Sequence, residues 1–495
     1  MSGRPWYALI LFWLLFLSIV SLSSNYLSEA PFDARTGEHV AGLSLSYPAW
    51  GALIEPVTAL AHINAGAPDV RVATISFLCW CFLIPLLVAV VRDMLHRRDH
   101  LRSIHYRHAL LLGGEASLVF VFYIVFVLLV PLPTWQLHDD ASSDIISDLH
   151  SHTLFSHDGL VTPAQSFAQH RKVGDQVIAF TEHETPPYYS IRTIRRGIIP
   201  GIEVGAADGT YVLGLGIKPE KYTPIPFYHQ DNVQTWIDQI HQRHHGAVLA
   251  MSMHLQPQDI PRLVGMGVDA IEIENGGHSP PSNAVKHALI QAQKQDGIAL
   301  LADSDWHGWS SFIQEWTVFR NVGDGTASSR GAAVVDSLRH HGRDNIIPVT
   351  AYHRGLVTPV QAIFSPLLQT YRYAQELNPM RLFAWWLWGL IAALVIRWCR
   401  SRQINPAKAM LASSLYFIGL SSLVVCSMQF YMWFPYREVN QFAGKTYMEG
   451  FFLSLLPLFA AHFISRGIQT REYGGTFFLS RLFLFRTRNA QIIQK

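Results

Sequence analysis

Residues 148–163 read DLHSHTLFSHDGLVTP. His150 and His152 stand two positions apart, so on a β-strand both imidazoles project from one face and can reach a single metal ion. His157 and Asp158 follow within the same stretch. Downstream, short β-rich runs recur at 177–181 (VIAFT), 198–202 (IIPGI), 211–217 (YVLGLGI), 247–251 (AVLAM), 268–273 (VDAIEI) and 298–302 (IALLA). A polar residue sits at the end of most of them: His183, Glu203, His254, then the Asp305-Trp-His307 triplet. Between the runs, Val233, Trp236, Ile237 and Ile240 carry helical spacing, and 283–295 is a second helix candidate. Short buried strands alternating with helices argue for an α/β domain of barrel type, where chemistry gathers at strand ends. Carboxylates and imidazoles together suit Zn, Mn or Fe. His241, His244, His245, His340 and His341 fall in helical contexts and read as surface residues.

Outside this segment the texture is different. Of 495 residues, 49% are apolar and 15% charged, the latter well below the roughly 25% of a soluble globular domain. Six apolar stretches reach the roughly 20 residues a helix needs to cross a bilayer: 6–23, 72–91, 109–132, 382–399, 409–434 and 448–465. The first has neither a strong basic leader nor a clean small-residue cleavage site, so it reads as a retained span. The interrupted apolar stretch 41–63, broken by Pro48, Glu55 and Pro56, reads as interfacial or outward-packed helices.

Charge then orients the spans. Arg92, Arg97, Arg98, Arg102 and Arg107 crowd one loop; Arg397, Arg400, Arg402 and Lys408 crowd another; Arg466, Arg471, Arg481, Arg486, Arg488 and Lys495 fill the tail. The positive-inside rule places all three in the cytoplasm. Both termini are then cytoplasmic, and the segment between the third and fourth spans faces outward, into the periplasm of a bacterial inner membrane. Four regions result: an N-terminal membrane region (1–132), an extramembrane barrel (133–356), an amphipathic connector (357–381) and a C-terminal membrane region with a basic tail (382–495). A formal net charge of +2 offers no polycation for a nucleic acid polymer. The four cysteines, Cys79, Cys81, Cys399 and Cys426, all lie in or beside apolar runs and read as packing.

The polar segment resembles the PHP (polymerase and histidinol phosphatase) domain family over about residues 145–350. DLHSHT at 148–153 followed by Ser156 and Asp158-Gly159 is similar to the family's opening motif, FTEHET at 180–185 to its second, IIPGIEVG at 198–205 to its Pro-Gly-Ile-Glu motif, VDAIEIENG at 268–276 to the strand before its asparagine turn, and LLADSDWHG at 300–308 to its closing Ser-Asp-Xaa-His. The resemblance implies a distorted (β/α)₇ TIM-like barrel holding two or three divalent metal ions. It implies as ligands His150, His152, Asp158 or His157, His183, Glu203, His254, Asp305 and His307, with Glu203 bridging two metals. Tyr211 stands where the family usually has a histidine, and Glu182 where aspartate is common.

The function implied is hydrolysis of a phosphate ester by a metal-bound hydroxide, with Asp305 in the catalytic centre, His254 or a nearby free histidine as the proton donor to the leaving group, Arg192, Arg195 and Arg196 suited to a phosphate, and Tyr188 and Tyr189 to stacking on a base or sugar. The outward location favours a nucleotide, a sugar phosphate or a lipid-linked phosphate, with membrane lipids as surroundings. A metal-binding sensor or scaffold with little turnover is the competing expectation, and Tyr211 and Glu182 are the residues that favour it.

Overall fold

The computed structural model describes residues 4–24, 30–95, 102–141, 143–183, 197–206, 209–218, 231–322, 326–340 and 345–469. Six helices are long and apolar enough to cross a membrane: Trp6–Ser23, Val70–Val91, Tyr106–Leu129, Pro379–Ser401, Pro406–Tyr436 and Gln441–Arg466. They match the stretches expected from hydropathy, and are referred to below as the first to sixth spans.

The extramembrane domain is built on one ten-stranded sheet. In chain order its strands are β1 (Phe32–Asp33), β4 (Ile145–Ser151), β5 (Val177–His183), β6 (Ile198–Gly205), β7 (Tyr211–Leu215), β8 (Ala247–Ala250), β9 (Ala270–Asn275), β10 (Ala299–Asp303), β11 (Glu315–Phe319) and β12 (Ile346–Thr350). A separate pair, β2 (Leu43–Ser46) and β3 (Gln136–Asp139), forms a small antiparallel ribbon. The sheet order is β1-β12-β11-β4-β5-β6-β7-β8-β9-β10. β4, β5 and β6 run parallel, β7 is antiparallel to both neighbours, and β8, β9 and β10 are parallel again. Every residue of β4, β8, β9 and β10 is buried. β8 (AVLA) and β10 (ALLAD) accordingly read as near-continuous apolar blocks, whereas β4 (IISDLHS) and β9 (AIEIEN) carry buried polar residues such as His150 and Glu272.

The sheet curls strongly without closing. The end of β10 nevertheless returns to β4 through single bonds. The Leu149 amide donates to Asp303 Oδ1 (2.8 Å), the Asp305 amide to the His150 carbonyl (2.8 Å) and the His152 amide to the Trp306 carbonyl (2.9 Å). These bonds bring the first and last motifs of the domain side by side.

The loop before the second span contributes to the domain, which extends the barrel beyond 133–356. It supplies β1, an edge strand antiparallel to β12, and β2. The same loop carries helices Ala49–Leu53 and Glu55–Ala65, so the stretch around 41–63 packs against the molecule as short helices. Glu55 is fully buried there. It accepts hydrogen bonds from Arg381 Nη2 (2.6 Å) and Tyr373 OH (2.8 Å) and lies 3.1 Å from His62 Nδ1. The Arg381 guanidinium also stacks over the rings of Tyr47 and Trp135, each 5.3 Å away. One buried ion pair therefore ties the outer loop, the connector and the fourth span together. The connector is a helix, Pro359–Gln375, started by a Thr358–Gln361 capping box. It lies along the second span, where Trp80 Nε1 donates to the Ile363 carbonyl (2.6 Å), and leaves Val360, Phe364, Leu367 and Tyr371 exposed.

Candidate metal centre

Two chain segments form the heart of the site. β4 delivers His150 and, one residue past its end, His152. The turn after β10 delivers Asp305, which is held at φ +50°. A non-glycine residue in this left-handed region costs on the order of 1–3 kcal/mol, which the three bonds between β4 and β10 must outweigh. The neighbouring Asn275-Gly-Gly turn fits closely against it: a Cβ on Gly277 would sit 2.7 Å from Asp305 Oδ2. Only glycine leaves room for that carboxylate.

Four buried groups converge at the centre. The Nε2 atoms of His150 and His152 lie 3.0 Å apart, Glu203 Oε2 lies 3.0 and 3.1 Å from them, and Asp305 Oδ1 lies 3.2 Å from each. All four ligand atoms fall within 4.8 Å of one another, close enough to chelate one ion. His152, His183 and His307 form a second such group, and His157, Asp158 and His183 a third. Glu203 touches both regions, since its Oε2 is also 3.4 Å from His183 Nδ1. Asp158 spans the other side, 3.4 Å from His183 Nε2 and 3.3 Å from His307 Nε2.

The donor set fits divalent metal ions on the chain's own chemistry. Two facing imidazole nitrogens can share at most one proton, and a cation between them satisfies both. Asp305 Oδ1 and Asp158 Oδ1 are buried without a hydrogen-bond donor, a costly arrangement unless a cation supplies the missing partner.

Outer partners orient the ligands, as metal sites require. Glu272 Oε1 lies 2.7 Å from His150 Nδ1, and Asn275 Nδ2 donates to the other oxygen of Glu272 (2.9 Å). Ser156 Oγ lies 3.0 Å from His152 Nδ1 and donates to Glu182 Oε2 (2.7 Å). Glu182 Oε1 accepts from Thr153 Oγ1 (2.6 Å). Glu182 thus braces the first motif from the end of β5.

The electrostatics follow from this crowding. Burial alone would lower the histidines and raise the acids, but the mutual contacts outweigh it. His307, next to Asp158 and Asp305, is pushed up to about 9. His150 is raised well above its ordinary value by Asp305, Glu272 and Glu203. Glu203, held by His150 and His152, and Asp305, held by His150, His152 and His278, are pushed down. His152 alone is lowered, by burial and by its neighbour His307. Behind the centre lies a further buried triad, Asp148, His170 and Asp175, with His170 Nδ1 2.9 Å from Asp175 and 3.4 Å from Asp148. Burial raises both carboxyls, Asp148 to about 7.

The remaining expected residues are placed differently. His254 is exposed, its ring 6.0 Å from that of Tyr211, and it joins none of the ligand groups. Tyr211 lines the cavity described below. Arg192, Tyr188, Tyr189, Arg195 and Arg196 lie outside the described residues. His244, expected at the surface, is buried and accepts the Lys218 amide at Nδ1 (3.0 Å). His278, by contrast, reaches the site directly, its Nε2 3.2 Å from Asp305 Oδ2.

The centre opens into a cavity of about 940 Å³. One end is walled by His157, Asp158, His183, Glu203, Asp305 and His307. The other is walled by residues of the second and third spans, including Val70, Thr74, Ile124, Val127 and Leu128. Arg71, at the start of the second span, donates from Nη2 to the Gly277 carbonyl (2.9 Å). Arg354 donates to the Asn275 carbonyl (3.2 Å), pairs with Glu315 (2.8 Å) and also lines the cavity. The C-terminal membrane region holds the opposite rim: Asn440 Nδ2 donates to the Ser156 and Gly159 carbonyls, and Tyr447 OH to the Leu160 carbonyl. Membrane helices thus form part of the site.

The sequence matches no family model and no curated protein. Among solved structures, the chain is similar to PsfC from Pseudomonas syringae PB-5123, with a TM-score of 0.29 and 16% identity over 48% of this chain and 99% of that one. A likeness at that score carries no functional argument.

Proposed function

We propose that this protein is a membrane-integral, metal-dependent phosphoesterase of PHP type, with its site on the extracytoplasmic face. The observation that carries the reading is the convergence of the His150, His152, Glu203 and Asp305 ligand atoms within 4.8 Å, adjoined by the groups around His183, His307 and Asp158. We assign those seven residues as ligands and His157 as an additional donor at the rim. Divalent ions so held supply Lewis-acid polarisation of a phosphoryl group and a nucleophilic hydroxide near neutral pH.

The chain's own residues do the rest. Arg354 and Arg71 place guanidinium groups along the cavity, where the planar fork suits a phosphate. His278, held by Asp305 and facing the cavity, is placed to give a proton to the departing alkoxide, the role first expected of His254. The buried wall of the centre limits water. The arginine-rich loops 92–107 and 397–408 support a cytoplasmic position for the other end of the spans.

The test uses the full-length protein in detergent. Its metal content should be stoichiometric by elemental analysis, and it should hydrolyse p-nitrophenyl phosphate or bis-p-nitrophenyl phosphate. His152→Ala should lose most of both. A metal-free preparation that no added Mn, Zn or Fe converts into a hydrolase would end this reading and favour a sensor.

A further inference from the structure

We infer that the substrate is a membrane-resident lipid phosphate, drawn from the bilayer with its apolar chains against the second and third spans. The inference rests on the phosphoesterase reading and names the substrate class for that site. Apolar walls are common in ligand sites; what sets this one apart is that part of its apolar lining belongs to helices long enough to span a membrane. Here one cavity is lined both by Asp158, Glu203 and Asp305 and by Val70, Thr74, Ile124, Val127 and Leu128. These residues belong to helices long and apolar enough to span a membrane, and the share of each buried within the protein is small: 11% for the second span and 28% for the third. Residues of the two spans outside the cavity lining, such as Ile75 and Leu118, remain exposed.

Charge runs the same way along the cavity. Its catalytic end combines the candidate ligand atoms with the Arg354 side chain. Arg71 marks the change from polar to apolar lining: it is the second residue of the helix Val70–Leu95, and its guanidinium reaches the Gly277 carbonyl beside His278. A cation at the start of a span lies at headgroup depth, where a lipid phosphate is found. About 940 Å³ is also ample for a headgroup with the first part of its chains, within the usual range of ligand sites.

The reaction balances as simple hydrolysis. Water oxygen forms the new bond to phosphorus and the P–O bond to the lipid alcohol breaks. One water proton passes to the leaving alkoxide. Products are the lipid alcohol, which returns to the bilayer, and inorganic phosphate, which leaves in water.

Two arms test this with the full-length protein in mixed micelles. The binding arm uses metal-free protein and native mass spectrometry, with dioleoyl phosphatidic acid as probe and dioleoylglycerol as its neutral control. Phosphatidic acid should be retained at least about tenfold better, and Arg71→Ala and Val127→Trp should each reduce that preference. Equal retention of both lipids overturns the inference. The kinetic arm compares dioleoyl phosphatidic acid with glycerol 3-phosphate, the same ester without chains. The lipid should show at least about a hundredfold higher kcat/KM, and Val127→Trp should shrink that ratio. Equal or better hydrolysis of glycerol 3-phosphate overturns the inference while leaving the phosphoesterase reading intact. If no ester of any kind is hydrolysed, the phosphoesterase reading falls and the binding arm alone decides whether the cavity takes lipid phosphates.

Discussion

Asn440, at the mouth of the sixth span, donates its side-chain amide to the Ser156 carbonyl at 2.6 Å and to the Gly159 carbonyl at 2.9 Å. The loop so held carries His157 and Asp158, while Ser156 also supports His152. A residue of the membrane region therefore sets the position of candidate ligands 280 positions earlier. Asn440→Ala removes three buried hydrogen bonds, the two to this loop and one that Asn440 Oδ1 accepts from the Ala443 amide, worth about 0.5–1.5 kcal/mol each. Metal affinity should fall on the order of tenfold, read by chelator competition, with the far-ultraviolet circular dichroism of the folded protein preserved. An affinity equal to wild type would show that the rim holds itself.

Glu272 should matter for metal binding although it is not among the convergent ligand atoms. Its carboxylate fixes the His150 ring from behind. Glu272→Gln keeps the shape and removes the charge, and partners of this kind usually contribute 10–100-fold in affinity or activity. The loss should appear in metal titrations, and Glu272→Asp should recover less than half of it because a side chain shorter by one methylene draws the carboxylate back from its 2.7 Å contact with His150 Nδ1.

Acidity acts on the metal-free and loaded proteins in opposite senses. His307 is raised from 6.5 to about 9 by Asp158 and Asp305. In the metal-free protein its stabilising contact is fully present below pH 6.5 and disappears as pH climbs through about 9. The Tm difference between metal-free wild type and His307→Gln should therefore narrow across that window. Metal must displace the same proton, so affinity should rise with pH over the same interval, with protons released on binding. A Tm difference that widens with pH contradicts the assignment of His307 as Asp158's partner.

The Glu55–Arg381 pair should show the asymmetry of buried ions. Glu55→Gln leaves Arg381 charged and unmatched, at a cost of about 3–5 kcal/mol. Replacing both, as Glu55→Leu with Arg381→Met, should restore much of the lost Tm in detergent. If the double variant is no better than the single one, the pair is not the source of the loss.

The six spans and the strands β5 to β10 were legible because they are apolar or β-rich runs bounded by charge or turn residues, whereas β11 and β12, and the short strands β1 to β3, did not stand out as such runs. His150 and His152 were legible for the opposite reason: their spacing on β4 needs no knowledge of the rest of the chain. Glu272 and Arg71 were not, because what makes them part of the site is distance in space. Arg71 lies 206 positions from Gly277, and Glu272 lies 122 from His150. Nothing local in VDAIEIENG separates the supporting Glu272 from Glu274, which pairs with Lys286 instead.

Glu55 and Arg381 also bear on how the molecule is made. During synthesis Glu55 leaves the ribosome 326 residues ahead of its partner. Until the fourth span is inserted, the N-terminal half carries a carboxylate that its own fold is built to bury. An interrupted chain is thus marked as incomplete by a charge with nowhere to go, and the whole becomes sound only when its second half arrives.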